Sequence, residues 1–176
     1  MKKIALILSL VLLMGAMTAC GSAPAETTAP AAVTAPEGTT EELMNKLYEN
    51  VTVELPLMTM PIDLADEFAV AAYTGAESAE GITEGSFSES MIGAQAYSVS
   101  LVRCESAEAA EALAKTMFEK IDTRKWVCVE ATEKAAVVCG DLVLFVMLDP
   151  QYGVSTDAIV EAFTTVCGGT VGTILK

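Results

Sequence analysis

The seven residues Leu142–Leu148 constrain the fold more than any other part of the chain. Their sequence, LVLFVML, is apolar at every position, so neither face of a strand built from them can turn to water. Gly140 and Asp141 come directly before them, and a two-residue Gly-Asp loop fits the turns that tight hairpins favour. With the valine-rich residues 135–139, the segment predicts a hairpin whose second strand is central in an antiparallel sheet.

Hydrophobic periodicity predicts further strands and helices around this hairpin. The other predicted strands are 84–90, 94–104, 125–131 and a β-rich stretch at 51–57 that prolines cut short. A two-residue turn at Glu133 and Lys134 would join 125–131 to 135–139. Apolar stripes and capping residues predict helices at 39–50, 63–73, 107–121 and Thr156–Val166. This order predicts an α+β domain: an antiparallel sheet of about five strands with helices packed on one face.

The N-terminus has the pattern of an export signal. Lys2 and Lys3 precede an apolar run that ends near residue 19 and is shorter than a comfortable membrane span. The run closes on Met-Thr-Ala-Cys-Gly, which resembles the lipobox of bacterial lipoprotein precursors, with Met17 where leucine is usual. The resemblance implies cleavage before Cys20 and lipid on that cysteine. The alternative is an ordinary secretory signal with an incidental cysteine.

A linker follows the lipobox cysteine. Residues 21–39 read GSAPAETTAPAAVTAPEGT and hold almost no large apolar side chain, a composition that cannot offset the entropy of ordering. We therefore expect a signal peptide at 1–19, a lipidated cysteine with a disordered tether at 20–39, and a single domain at 40–176.

The charge and the residue inventory exclude several classes of function. The chain has 24 Asp and Glu against 10 Lys and Arg, a net charge of −14, and removal of Lys2 and Lys3 with the leader makes it −16. Such a chain repels phosphate backbones, so nucleic acid is excluded as a partner. No histidine occurs, which removes Ser-His and Cys-His nucleophile pairs and the commonest zinc ligand.

Four cysteines remain beyond Cys20: Cys104, Cys128, Cys139 and Cys167. Each has apolar neighbours, where a free cysteine packs as a small hydrophobic residue, and no C-x-x-C occurs to indicate a zinc site. The alternative is a disulfide, for which Cys128 and Cys139 are the most reachable pair, because the predicted hairpin would place them opposite each other.

Several polar clusters are weak candidates for a site. Four glutamates in a Gly- and Ser-rich stretch could ligate a cation, although a solvated acidic loop is the favoured interpretation: Glu77, Glu80, Glu84 and Glu89. Three carboxylates could supply an acid–base pair, although such residues ordinarily open a helix: Asp63, Asp66 and Glu67. A basic-aromatic patch could bind a glycan or a partner, although packing is favoured: Arg124, Lys125 and Trp126. Alternating serines indicate the exposed face of an edge strand: Ser86, Ser88 and Ser90.

The strand AQAYSVSLVRC, the helix SAEAAEALAKTMFEKI and the hairpin AAVVCGDLVLFVMLDP resemble the lipoproteins of domain of unknown function 4358. The resemblance covers roughly residues 40–150, and residues 122–124 form a shorter connection than is usual there. It implies a lipobox, a polar tether and a strand–helix–hairpin core in Gram-positive bacteria. That family has no established activity, so only the role of Cys20 is carried over.

Together these patterns predict a non-enzymatic binding or protein-interaction module, exported and lipid-anchored to the outer face of a Gram-positive cell membrane. Its expected partners are the membrane and an envelope protein or wall component, and no cofactor is expected. The alternative is a lipoprotein that binds a small ligand or cation, and the least favoured is a carboxylate-dependent hydrolase.

Overall fold

The structure, a computed structural model, describes residues 33–176. The helices are α1 (Thr40–Glu49), α2 (Glu67–Thr74), α3 (Ala107–Lys120) and α4 (Thr156–Val166), with a 3-10 turn at Pro150–Tyr152. The strands are β1 (Leu57–Pro61), β2 (Ile82–Ser90), β3 (Tyr97–Cys104), β4 (Glu133–Cys139), β5 (Leu142–Leu148) and β6 (Ile174–Leu175). The predicted signal peptide and Cys20 lie outside the described residues.

The strands form one antiparallel sheet in the order β1-β2-β3-β5-β4-β6. The predicted α+β class and antiparallel sheet are confirmed, and residues 33–176 contain six strands where about five were expected. The apolar strand β5 is buried at all seven positions between β3 and β4. Gly140 has a φ of +60° in the β4–β5 turn, a conformation that glycine adopts readily.

The helices are divided between the two faces of the sheet, whereas the sequence led us to expect them on one. The helices α1 and α4 pack on the face that carries Leu144, and α3 packs on the face that carries Phe145. The reason lies in β5 itself, because a strand that is apolar on both faces needs a cover on each. We refer below to the α1/α4 face and the α3 face.

The predicted strand at 125–131 is wrong. These residues form a loop, with Val127 96% exposed, and β4 begins at Glu133, where a turn was expected. The loop is held by its own polar groups: Arg124 forms an ion pair with Glu130 at 3.0 Å, and Ala131 N–H donates to the carbonyl of Thr123. Alternation over these residues therefore did not reflect two faces of a strand.

Residues 33–39, expected in the disordered tether, instead pack on the domain. Val33 and Ala35 contact the core of the α1/α4 face, and Thr39 caps α1 in a capping box with Glu42. Among residues 33–176, no helix is both long and apolar enough to cross a membrane.

Candidate functional site

A groove lies between α1 and the chain that leads from it into β1. From Val51 to Met60 the side chains alternate strictly between half-buried and exposed, as in an extended strand that lies against a surface. The groove has a volume of about 380 Å³, within the range of small-ligand pockets. It is lined by Tyr48, Val51, Thr52, Val53, Leu55, Leu57 and Thr59.

Two residues that line this groove, Tyr48 and Thr59, carry hydroxyls that contact two buried hydroxyls beneath it, those of Tyr97 and Ser88. The hydroxyl oxygens of Tyr48 and Tyr97 lie 3.2 Å apart, and Thr59 Oγ1 donates to Ser88 Oγ at 3.2 Å. Burial raises the pKa of Tyr97 and of Tyr48, so both phenols stay protonated at neutral pH. An apolar wall above a neutral hydroxyl floor suits an uncharged ligand with hydrogen-bonding groups.

Within residues 33–176, no strand pairs with the outer edge of β1, which lies beside this groove and is called the free edge below. Ile62 N–H donates to the carbonyl of Gly85, and Met91 N–H donates to the carbonyl of Pro56. These two bonds determine which residues of β1 are hydrogen-bonded to β2. By the alternation of antiparallel pairs, Met58 and Met60 bond to β2, and the backbone groups of Leu57 and Thr59 point away from the sheet. Met58 and Met60 are themselves 41% and 44% exposed, on the α3 face.

A largely buried ion pair lies on the α3 face near the end of β2. Lys125 Nζ donates to Glu89 Oε1 and, at 3.1 Å, to Ser98 Oγ, while Ser98 Oγ donates to Glu89 Oε1 at 2.9 Å. The ammonium lies 4.7 Å from the ring centroid of Tyr73 and 5.4 Å from that of Trp126. Burial lowers the pKa of Lys125, and Glu89 opposes that effect.

A serine beside a lysine raises the question of nucleophilic catalysis. Here the Ser98 hydroxyl donates to Glu89 and the residue is only 2% exposed, so a substrate carbonyl cannot reach it. The ammonium is held by the Glu89 carboxylate, which opposes the loss of its proton. The arrangement therefore serves packing and orientation.

The four candidate glutamate ligands do not converge. Glu77 is exposed and lies 3.7 Å from Lys120, whereas Glu84 accepts from Thr40 N–H on the α1/α4 face. Glu89 lies on the opposite face of β2, bonded to Lys125. Within the described part of the chain, no group of three or more metal-ligating side chains comes together.

The other sequence candidates hold structural positions. Asp66 caps α2 by accepting from Phe68 N–H, and Asp63 accepts from Ala65 N–H. In the basic-aromatic patch, Lys125 turns inward beside Trp126 and so offers no free cation. Of the three candidate carboxylates, Glu67 is exposed in the first turn of α2. In the basic-aromatic patch, Arg124 forms an ion pair with Glu130.

The alternating serines of β2 are not an exposed edge. Ser86 and Ser88 are buried, because β1 pairs outside β2 and α1 covers this face. Ser86 Oγ lies 2.7 Å from Thr40 Oγ1, and Ser88 accepts from Thr59. Ser90 is half-buried and donates to Gln95 Oε1.

The alternative of a disulfide between Cys128 and Cys139 is not found. Both are free: Cys128 is exposed in the loop before β4, whereas Cys139 is buried at the far end of that strand. The hairpin that would have placed them opposite each other does not form, because β4 runs unbroken from Glu133. Cys139 instead lies against Cys167, at the end of α4.

Arg103 holds the incoming chain against the end of the sheet. Its guanidinium donates to Asp141 Oδ1 at 2.8 Å, to the carbonyl of Pro36 at 3.1 Å and to that of Gly38 at 3.0 Å. Gly140 lets the chain approach closely, because a Cβ there would lie 2.5 Å from the backbone nitrogen of Ala35. Segment 33–38 is thus a fixed part of the domain.

Replacing Arg103 should release this segment. We expect Arg103→Met to lower the free energy of unfolding by about 1–3 kcal/mol, because charge-assisted hydrogen bonds to one carboxylate and two carbonyls are lost. Amide hydrogen exchange over residues 33–39 should quicken while exchange in β5 changes little. Arg103→Lys should recover only part of the loss, since an ammonium lacks the planar fork. Unchanged exchange at 33–39 in Arg103→Met would contradict this role.

Sequence reasoning missed the groove, although part of its signal was visible. Apolar residues at alternate positions from Val51 to Leu57 indicated an extended segment with one buried side. Tyr97 and Ser88 join the site only through the sheet, so no local spacing could place them beside Tyr48. Comparison with protein-family models, curated proteins and solved structures found no match to this chain.

Proposed function

We propose that this chain is an exported lipoprotein, held to the membrane by lipid on Cys20, whose domain is a non-enzymatic interaction module. The observation that carries the proposal is the free edge of β1 beside an apolar groove. An extended segment of a partner protein would pair with the outward N–H and C=O groups of Leu57 and Thr59. Its alternate side chains would meet the groove on one face and Met58 and Met60 on the other.

The same edge limits what can bind. It is five residues long, and Pro61 at its end lacks an N–H, so it pairs with a short segment and resists uncontrolled aggregation. The net charge of −14 disfavours an acidic partner. We therefore propose an extended partner segment with apolar side chains at alternate positions and no net negative charge.

The position of the edge supports display from a membrane. Residues 36–38 reach the sheet beside Arg103, which lies opposite Glu84 in the register of β3 and β2. The strand β1, in contrast, begins opposite Ser90 of β2. From Glu84 to Ser90 the strand extends about 20 Å, so the proposed binding edge lies well away from the point of attachment.

A peptide library tests the proposal on the full-length chain in detergent micelles. We expect selection of short peptides with alternating apolar residues, and slower amide exchange at Leu57 and Thr59 when they bind. Thr59→Pro should reduce their affinity at least tenfold, because it removes an outward N–H and leaves the bonds of Met58 and Met60 to β2 intact. Thr59→Val is the matched control: it keeps the N–H, loses the hydroxyl, and should retain most of the affinity.

The groove also supports a second candidate, a small neutral ligand that bonds to the hydroxyl floor. Thr59→Val would then weaken binding as much as Thr59→Pro, and small polyols or amides would raise the unfolding temperature in a saturable way. Failure to select any peptide, with no protection at Leu57 or Thr59, would overturn the edge-pairing proposal.

A further inference from the structure

Two cysteines that no sequence pattern paired lie together on the α1/α4 face. Cys139 is the last residue of β4 and is fully buried, and Cys167 caps the C-terminal end of α4 and is half-buried against the same cluster. Cys167 packs against the cluster that contains Cys139, with the two thiols close enough to interact, and the Cys139 thiol donates to the carbonyl of Thr34 at 3.8 Å. The two sulfurs are therefore neighbours in the folded chain.

The other cysteines of the described residues are placed apart from this pair. Cys104 is buried on the α3 face, on the opposite side of the sheet, and Cys128 is exposed in the loop before β4. A thiol-directed oxidant can close a bond within the fold only where two sulfurs already meet. The position of Cys139 beside Cys167 satisfies that requirement.

We propose that Cys139 and Cys167 are a disulfide site, oxidised by exchange with a small-molecule disulfide or a thiol–disulfide oxidoreductase. The link ties the C-terminal end of α4 to β4, next to the place where residues 33–38 meet the domain. It is independent of the proposed binding edge. Export, itself part of the proposed function, would bring the pair into a compartment where such oxidants occur.

The exchange follows from the difference in exposure. Cys167, which solvent reaches, loses its proton and its sulfur attacks one sulfur of the oxidant RSSR, which forms a mixed disulfide and releases RS⁻. Cys139 then loses its proton, and its sulfur attacks Sγ of Cys167 and expels the second RS⁻. Two electrons pass from the cysteine sulfurs to the oxidant, and the two released protons convert both RS⁻ ions to RSH. The interaction with Cys139 and burial raise the pKa of Cys167, so the first attack is faster in alkaline solution.

Peptide mapping of the full-length protein in detergent tests the site. The reduced chain is treated with oxidised glutathione, its remaining thiols are alkylated after denaturation, and it is cut after glutamate. Cleavage after Glu133 and Glu161 puts Cys139 on residues 134–161 and Cys167 on residues 162–176. We expect the two peptides to stay joined until a reductant is added. Recovery of both peptides apart, alkylated or carrying glutathione, would overturn the proposal.

Thermal unfolding gives a second readout. Closing the loop between residues 139 and 167 restricts the unfolded chain, so the oxidised protein should unfold about 5–10 °C above the reduced one. Cys167→Ser should abolish both the linked peptides and the oxidant-dependent rise. Cys128→Ser, at an exposed cysteine, is the matched control and should retain both.

Discussion

Lys125→Met should destabilise the fold by about 2–4 kcal/mol, because it leaves the Glu89 carboxylate buried without its counter-ion. The two side chains are only 21% and 18% exposed, and methionine is an unbranched side chain of similar length that still fills the space beside Tyr73 and Trp126 while removing the charge. The loss therefore reports on charge and not on packing. Urea unfolding of the full-length chain, with the slope held constant between variants, measures it.

Two further variants separate this effect from its alternatives. The double variant Lys125→Met with Glu89→Gln should return to within about 1 kcal/mol of the parent, since no charge is then left unpaired. Lys120→Met is the matched control, because Lys120 pairs with Glu77 at 3.7 Å on the exposed surface and should cost less than about 0.5 kcal/mol. Equal losses for Lys125→Met and Lys120→Met would show that solvent already screens the inner pair.

This ion pair shows why part of the molecule could not be predicted from sequence. Glu89 was a candidate cation ligand and Lys125 part of a basic patch, and both interpretations assumed that the charges face water. The residues are 36 positions apart and meet because α2 and the loop before β4 fold over the same end of the sheet. Local spacing carries no information about such a meeting.

The elements with strong local signals were predicted well. The α4 helix runs from Thr156 to Val166 as expected, with Ser155 as its N-cap, and the Thr39–Glu42 capping box begins α1. Both depend on contacts between residues a few positions apart, which sequence displays directly. Gly140 likewise marks the β4–β5 turn.

The wrong predictions concern features whose position in the fold is set by tertiary contacts. Periodicity shows which side of a helix is apolar but not which face of the sheet it covers, so the division of α1 and α4 from α3 was missed. For the same reason Ser86 was placed on an exposed edge, since nothing near it in sequence indicated that β1 would pair outside β2. The groove depends on both of these facts.

The second large effect is a loss of stability in alkaline solution. Tyr48 and Tyr97 have folded-state pKa values raised above the ordinary value of 10 by burial, whereas in the unfolded chain both ionise near 10. Above that pH the unfolded state binds fewer protons than the folded state, so the free energy of unfolding falls as pH rises. Each buried phenol contributes a slope of at most about 1.4 kcal/mol per pH unit, between its unfolded-state and folded-state pKa values.

Three other groups also contribute to the slope of the free energy of unfolding against pH. Burial and Glu89 raise the pKa of Tyr73 to about 12, with the same sign, but the side chain is only half-buried and its contribution is smaller. Burial raises the pKa of Cys104 from 9 to about 11, so the loss of stability that this thiol causes begins at a lower pH than that of the phenols. Lys125 acts in the opposite sense, because its pKa is lowered in the folded state. Just below pH 10.5 the unfolded state therefore binds more protons at this residue, which cancels at most the slope of one phenol.

Tyr97→Phe isolates the largest contribution. The variant loses one hydrogen bond to Tyr48, about 1 kcal/mol at neutral pH, but its slope above pH 10 should be shallower by about 1.4 kcal/mol per unit. The parent and variant curves should therefore converge and then cross as the pH rises. Curves of urea unfolding free energy against pH that stay parallel from 9 to 12 would show that the Tyr97 hydroxyl ionises as readily in the folded chain as in the unfolded one. The hydroxyl floor of the groove would then be open to hydroxide, and a neutral ligand would have to compete with water there.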